Sequence, residues 1–123
     1  MLFRSGYSMK LFTVEERRKT LQDELGRIIE VIKTEYHPEK IILFGSLADG
    51  AVHEWSDIDL LIVKQTSKRP IDRTMELFRL IRPKTGIDLF IYTPEEYDTL
   101  LKEKYSFLLS ILKTGKTMYE KRS

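Results

Sequence analysis

Apolar residues recur at steps of three and four positions through the first third of the chain, with Arg, Lys, Asp and Glu between them. This spacing is typical of one buried face of an amphipathic helix. Thr13 and Glu16 have the spacing of a capping box, so the helix is predicted to begin there. The His37-Pro38 pair is predicted to end it. The predicted buried positions are Leu21, Leu25, Ile28, Ile29, Ile32 and Tyr36.

Three later segments have the short apolar pattern of β-strands. They are residues 41–44, 57–63 and 87–92. The second segment is apolar on both faces after its first residues, which is typical of a strand in the middle of a covered sheet. A further short strand is predicted at residues 117–120.

Helices are predicted between and after these strands. Residues 47–50 have room for about one helical turn, and Pro70 suits the first position of a longer helix. Thr93 and Glu96 form a second capping box, and Gly115 suits the end of the last helical segment. The Pro70 helix is predicted to carry one apolar side, formed by Ile71, Met75, Phe78 and Ile81. The pattern predicts an α/β (α+β) fold with a small mixed β-sheet flanked by helices.

Composition restricts the class of protein further. The 123 residues predict one domain at 13–123, with residues 1–12 as an N-terminal extension in which Met9 is an alternative start. There is no cysteine, which excludes disulfides and thiolate metal sites and favours a cytoplasmic protein. The net charge of +2 gives no general attraction to nucleic acid or membrane. No apolar run reaches ~18 residues, so no membrane span is predicted.

Three aspartates stand where a core would not favour them. Asp57 and Asp59 are separated by one residue, so in a strand both side chains project to one face, and Asp88 begins the next strand. At an effective dielectric constant of 20, two carboxylates about 4 Å apart repel by ~4 kcal/mol. Mg²⁺ prefers oxygen ligands of this kind. An Asp-x-Asp pair alone is more typical of an exposed strand end, but here a buried strand follows it directly.

Gly45 and Ser46 lie between a predicted strand and a helix start. Glycine there lets backbone N–H groups approach an anion, and the serine hydroxyl can donate to a phosphate oxygen. Gly-Ser alone is typical of an ordinary turn. The combination with the aspartates is what indicates a phosphate and metal site.

The segments GSLADG, SDIDLLIV and GIDLFIY resemble the nucleotidyltransferase superfamily related to DNA polymerase beta, in particular its minimal nucleotidyltransferase branch. The resemblance covers about residues 40–92. It implies the polymerase-beta-like nucleotidyltransferase fold, with Gly45 and Ser46 holding the triphosphate of ATP. It also implies that Asp57 and Asp59 bind two Mg²⁺ ions, and that Asp88 completes the metal site or takes a proton from the attacking hydroxyl. All three aspartates are therefore expected to be catalytic and metal-binding.

The same resemblance implies a function and a partner. Minimal nucleotidyltransferases of this kind are often antitoxins that transfer AMP from ATP to a tyrosine of a HEPN-type ribonuclease toxin. In one departure, Asp49 stands where many relatives have arginine. Two alternatives stay open, a catalytically weak module that blocks its toxin sterically and a small-molecule adenylyltransferase. Because the net charge is near zero, direct binding to nucleic acid is not expected. Assembly into an oligomer is compatible with the sequence.

Other candidate groups have ordinary explanations. GSLADGAV lacks the Lys and Ser/Thr of a P-loop. For Trp55, packing against the loop is favoured over stacking on a base. His37 and His53 are isolated in the sequence. A local basic cluster is most simply interpreted as a solvated face. The alternative is that it contacts nucleotide phosphates, RNA or an acidic partner. Its members are Lys64, Lys68, Arg69 and Arg73.

Overall fold

The computed structural model describes residues 13–53 and 56–122. In these residues helices and strands largely alternate, as the apolar pattern predicts. The elements in chain order are α1 (Val14–Val31), a π-helical turn (Ile32–Tyr36), β1 (Lys40–Phe44), α2 (Ser46–Asp49), β2 (Ile58–Val63), α3 (Pro70–Ile81), β3 (Ile87–Tyr92), α4 (Pro94–Lys102), α5 (Ser106–Thr114) and β4 (Lys116–Glu120).

The four strands form one sheet in the order β3-β2-β1-β4. The pair β2–β3 is parallel, whereas β1 is antiparallel to both β2 and β4. The sheet is therefore mixed, which confirms the predicted fold class. The apolar run of β2 lies in the interior of the sheet, as its two-sided hydrophobicity requires.

Both predicted capping boxes are present. The Thr13 hydroxyl accepts from the Glu16 amide at 3.0 Å, and the Glu16 carboxylate accepts from the Thr13 amide at 2.8 Å. Thr93 and Glu96 repeat this arrangement at the start of α4. At the other end of the first helical segment, His37 has φ 55° and closes the π-helical turn. The predicted stop before Pro38 is therefore in place.

Helices cover both faces of the sheet. On one face α1 and α3 pack over the alternate residues of β1 and β2, such as Leu43, Leu60 and Ile62. On the other face α5 packs with Leu108 and Ile111 over Leu61 and Val63, joined by partly buried side chains of α4. Because strand residues alternate between faces, every second position of β2 belongs to the α4/α5 side.

The exposed side of α3 differs from the prediction. Ile71 is 60% exposed, Met75 44% and Phe78 42%, whereas Leu77 and Ile81 are fully buried. Buried Arg73 lies on the inner side and makes a bidentate ion pair with Glu96 of α4, with its shortest contact at 2.7 Å. The helix carries two apolar stripes, and packing against the sheet and α1 selects the one that contains Leu77.

No helix among residues 13–53 and 56–122 combines the length and the apolar character needed to cross a bilayer. The predicted N-terminal extension at 1–12, with Met9, lies outside the described residues.

Candidate active site

The strand register brings the predicted site residues to one end of the sheet. Asp59 lies opposite Phe44, the last residue of β1, and opposite Asp88 in the parallel neighbour β3. Residues paired in register share a face, so Asp59 and Asp88 both lie on the α4/α5 side. Because β2 and β3 run parallel, their first residues meet at the same end of the sheet, beside the turn that follows β1.

Gly45 brings this turn against the carboxylate of Asp59. Its backbone has φ 74° and ψ −160°, a conformation that side chains disfavour strongly. A Cβ atom at this position would lie 2.1 Å from Oδ2 of Asp59. Only glycine therefore allows the chain to pass this close to the acid. Ser46 follows as the first residue of α2, which is anchored by buried Leu47 and Ala48.

Asp57 lies one residue before β2 and is in close contact with Gly86, the residue before β3. A Cβ on Gly86 would lie 2.3 Å from Oδ1 of Asp57. The same Oδ1 atom is 3.9 Å from Nη2 of Arg17, which comes from α1. The Ile58 amide donates to the Gly86 carbonyl at 3.1 Å and holds the starts of the two strands together.

The surroundings of Asp59 raise the pKa of its carboxyl group. Burial, the hydrogen bond with Asp88 and the charges of Asp88 and Asp57 together raise its pKa to about 6. Burial is the largest cause, and Phe44 beside it belongs to a cluster of rings with Phe90 and Phe107, whose centroids are 5.1–6.1 Å apart. The site thus holds carboxylates that repel one another in partly apolar surroundings.

The donor set fits a hard divalent cation in its chemistry. A positive charge beside Asp59 and Asp88 would remove the repulsion that raises the pKa of Asp59, and carboxylate oxygens are the ligands that Mg²⁺ prefers. Within residues 13–53 and 56–122, however, no three acid or imidazole side chains are close enough together to form a complete metal site. Asp57, Asp59 and Asp88 therefore stay a predicted ligand set.

Ser56 is a site residue that the sequence patterns did not single out. It is buried, and its hydroxyl lies 2.9 Å from that of Ser46 and accepts from the His53 amide at 2.8 Å. Its carbonyl accepts from Nη2 and Nε of Arg17 at 2.8 and 3.3 Å. Its place just before Asp57 was the available sequence signal, whereas no local pattern connects Arg17 to a segment 39 positions away.

Helix α1 also holds the loop before β3. The buried carboxylate of Glu24 accepts from the Lys84 amide at 2.6 Å and forms two hydrogen bonds with Arg27, which lower the pKa of Glu24. Arg27 in turn donates to the Arg82 carbonyl at 3.2 Å. One helix therefore fixes the two segments that precede Asp57 and Asp88.

Asp49, which replaces the arginine of many relatives, makes a local hydrogen bond through its side chain. Its Oδ1 atom accepts from the Ala51 amide at 2.9 Å, within the turn that follows α2. This arrangement is a local Asx-type turn, which explains an acid at this position without a ligand.

The predicted basic cluster lies at the opposite end of β2 from the acids, and each member has an internal partner. Lys64 donates to the Tyr36 carbonyl, Lys68 pairs with Glu76 and Arg69 with Asp72, while Arg73 pairs with Glu96. A structural explanation is therefore sufficient for these four residues. Trp55, the possible stacking residue, lies outside the described residues.

The family model "Polymerase beta, Nucleotidyltransferase" matches residues 26–123. Two proteins of Methanocaldococcus jannaschii, both named as candidate protein adenylyltransferases, are each 32% identical to the chain. The first match covers 84% of this chain and 74% of the relative. The second covers 77% of this chain and 94% of the relative.

Two solved structures are similar in fold. A crystal structure of a candidate nucleotidyltransferase from Sulfolobus solfataricus matches with a TM-score of 0.61 and 22% identity, over 94% of each chain. A toxin–antitoxin structure with AMP-PNP matches with a TM-score of 0.50 and 22% identity, over 79% of this chain and 73% of the other. At this level of identity, both comparisons concern the fold.

Proposed function

The chain belongs to the polymerase beta nucleotidyltransferase family, and we propose that it transfers AMP from ATP, with Mg²⁺, to a hydroxyl group of a partner protein. Asp57, Asp59 and Asp88 are the proposed catalytic and metal-binding residues. Gly45 and Ser46 are the proposed triphosphate-binding residues. Both names carried by the Methanocaldococcus relatives describe transfer of an adenylyl group to protein, which supports a protein acceptor.

The observation that carries the proposal is the contact between Gly45 and Asp59. The turn proposed to hold phosphate passes so close to the acid that a single Cβ atom would collide with it. A phosphate at this turn would therefore lie beside the carboxylates. Since a triphosphate and three carboxylates are all negative, the two groups need a shared cation between them.

Transfer breaks the bond between the α-phosphorus and the leaving pyrophosphate and forms a bond from the acceptor oxygen to that phosphorus. Bound Mg²⁺ supplies stabilisation of the charge on the attacking and departing oxygens. Asp57 and Asp59 hold the cations, and Asp88 completes the ligand set or accepts the proton of the attacking hydroxyl. Ser46 donates to a phosphate oxygen, which fixes the triphosphate in line for attack.

We further propose that the acceptor is a tyrosine of a HEPN-type toxin, so that the chain acts as the antitoxin of the pair. The fold match to a toxin–antitoxin structure that contains AMP-PNP supports a toxin partner, and the names of the two relatives support a protein acceptor. Tyrosine offers a hydroxyl that a general base can deprotonate during attack.

The test is incubation with α-labelled ATP, Mg²⁺ and the purified product of the adjacent gene. Wild type should transfer label to the partner, whereas Asp57→Asn and Asp59→Asn should each reduce transfer by about 100-fold or more, because each removes charge from the metal site. Asp72→Asn is a matched control, since Asp72 pairs with Arg69 at the exposed start of α3, and it should label the partner normally.

Two results would contradict the proposal. If the partner stays unlabelled but is inhibited equally by wild type and by both site variants, the chain is a steric inhibitor. If label instead reaches an added small molecule with a free hydroxyl and never a protein, the chain is a small-molecule adenylyltransferase.

A further inference from the structure

Ser56 is a buried hydroxyl at the site that the proposed chemistry does not use. It is only 3% exposed, although it lies next to Asp57, whose side chain is half exposed. A serine buried this deeply normally satisfies its hydrogen-bonding groups within the protein. Among residues 13–53 and 56–122, its hydroxyl has the His53 amide and the Ser46 hydroxyl as hydrogen-bond partners.

The direction of these hydrogen bonds follows from counting protons. The His53 amide can only donate, so Ser56 Oγ is the acceptor in that bond. A serine hydroxyl has one proton and two lone pairs, and the proton rotates to suit its neighbours. The proton of Ser56 can therefore point at Ser46 Oγ, 2.9 Å away, while a lone pair still accepts from His53.

Ser46 is the more accessible of the two serines. The hydroxyl proton with which it would contact a phosphate is the same proton that can bond to Ser56. In the structure Ser46 donates to Ser56, so its single proton is used inside the protein. If Ser56 donates instead, the Ser46 proton is released toward the site. A phosphate oxygen can only accept, so a bound phosphate selects the second direction.

Ser56 is also held rigidly. The Arg17 guanidinium donates twice to its carbonyl, at 2.8 and 3.3 Å, and its own amide donates to the His53 carbonyl at 3.0 Å. Its backbone is thus held by Arg17 of α1 on one side and by the His53 carbonyl on the other. A hydroxyl in a fixed place can orient a neighbour at little entropic cost.

We propose that Ser56 is a positioning residue. When a nucleotide binds, Ser56 still accepts a hydrogen bond from the His53 amide, and the bond between the two serines reverses so that Ser56 donates to Ser46. Ser46 then directs its own proton to a phosphate oxygen of the nucleotide. The inference rests on the proposed function, because it needs a nucleotide phosphate at Ser46. It assigns a role in binding to the first residue of the segment SDIDLLIV, for which the sequence predicted none.

The experiment is a double-mutant cycle on the affinity for Mg·ATP, measured by isothermal titration calorimetry. The four proteins are wild type, Ser46→Ala, Ser56→Ala and the double variant. Ser46→Ala should raise the Kd about tenfold, since it removes a hydrogen bond to a charged group. Ser56→Ala should raise it by a smaller factor, and in the Ser46→Ala background it should have no further effect.

A residue that merely supported the loop would weaken binding by the same factor in both backgrounds, so independent losses overturn the inference. Ser110→Ala is the matched control, because Ser110 is exposed and donates to the Phe107 carbonyl within α5, and the Kd of this variant should equal that of wild type. Ser56→Cys replaces Ser56→Ala if the alanine variant unfolds, since the thiol fills the space but is a weak donor.

The inference and the proposed function fail differently. Absence of Mg·ATP binding by folded wild type overturns both. Binding by wild type with independent effects of the two serines overturns only the role of Ser56.

Discussion

At the scale of single residues, the site depends on two glycines whose lack of a side chain leaves room for neighbouring carboxylates. Gly45 and Gly86 each leave the space that a neighbouring carboxylate occupies. A side chain at either position would displace Asp59 or Asp57. The two glycines are therefore part of the geometry of the acids.

Gly45→Ala should abolish most of the activity and lower stability. The new Cβ would lie 2.1 Å from Asp59 Oδ2, and alanine disfavours φ 74°. We expect a loss of about 1–3 kcal/mol in the free energy of unfolding. Transfer should fall by about 100-fold, because displacement of a reacting group by ~1 Å has that effect. Urea denaturation and the labelling assay measure the two quantities.

Gly26→Ala is the control for this variant. A Cβ on Gly26 meets no atom within 4 Å, and the residue lies on the exposed side of α1. Alanine should therefore stabilise the helix by about 0.5–1 kcal/mol and leave transfer unchanged. Equal behaviour of the two variants would contradict the assigned role of Gly45.

The raised pKa of Asp59 predicts that the free energy of unfolding of the metal-free protein depends on pH. Its pKa is raised from 3.8 to about 6 in the folded state, so folding favours the protonated acid. The stabilisation is fully present below pH ~4 and is lost as the pH rises through about 6. Asp59→Asn removes this dependence. Since the acid is partly exposed, we expect the variant to gain only about 1 kcal/mol over wild type at pH 7.

Urea denaturation in EDTA at pH 4.5 and pH 7.5 measures this effect. The difference in stability between Asp59→Asn and wild type should be larger at pH 7.5. Asp72→Asn, whose carboxylate pairs with Arg69 on the surface, is the control. If wild type instead became more stable relative to Asp59→Asn as the pH rises, the raised pKa of Asp59 would be contradicted.

At the scale of elements, α3 shows why an apolar pattern alone does not assign a face. The helix has one apolar stripe at Ile71, Met75 and Phe78 and another at Leu77 and Ile81. Periodicity identifies both stripes as suitable for burial. The ion pair of Arg73 with Glu96 and the packing of Leu77 in the core determine which one turns inward.

Truncation should distinguish the two stripes. Leu77→Ala should lower the free energy of unfolding by about 2–5 kcal/mol, because it leaves a cavity in the core. Phe78→Ala should lower it by less than ~1 kcal/mol, although phenylalanine is larger, because Phe78 is 42% exposed. Thermal or urea denaturation measures both. A greater loss for Phe78→Ala would reverse the orientation of α3.

At the scale of the whole molecule, the site joins parts of the chain that are distant in sequence. The end of β1, the starts of β2 and β3, and α1 through Arg17 and Glu24 all contribute to it. Ligand binding should therefore stabilise the fold as a unit. A ligand that binds only the native state raises stability in proportion to the logarithm of its concentration over its Kd.

Mg²⁺ should raise the melting temperature of wild type at pH 7. At a concentration ten times the Kd, the gain is about 1.4 kcal/mol, or roughly 5 °C for a chain of this size. Asp59→Asn and Asp88→Asn should lose most of the shift, whereas Asp72→Asn should keep it. A thermal scan with and without Mg²⁺ decides this, and an equal shift in all variants would place the cation elsewhere.

The sequence by itself determined the elements and most of the candidate site. Capping boxes at Thr13 and Thr93 and the proline before α3 act within a few residues, so local chemistry is sufficient to predict them. The Gly-Ser turn and the aspartates were recognisable because they combine unusual residues at short spacing. The family follows from the same motifs.

Only the tertiary structure decided which distant groups meet. The Ser46–Ser56 contact, the reach of Arg17 to Asp57 and the choice of stripe on α3 depend on how elements pack. Periodicity reports which residues are suitable for burial, but it carries no information on the partner that buries them. The structure therefore adds the supporting residues around the candidate acids that the sequence already indicated.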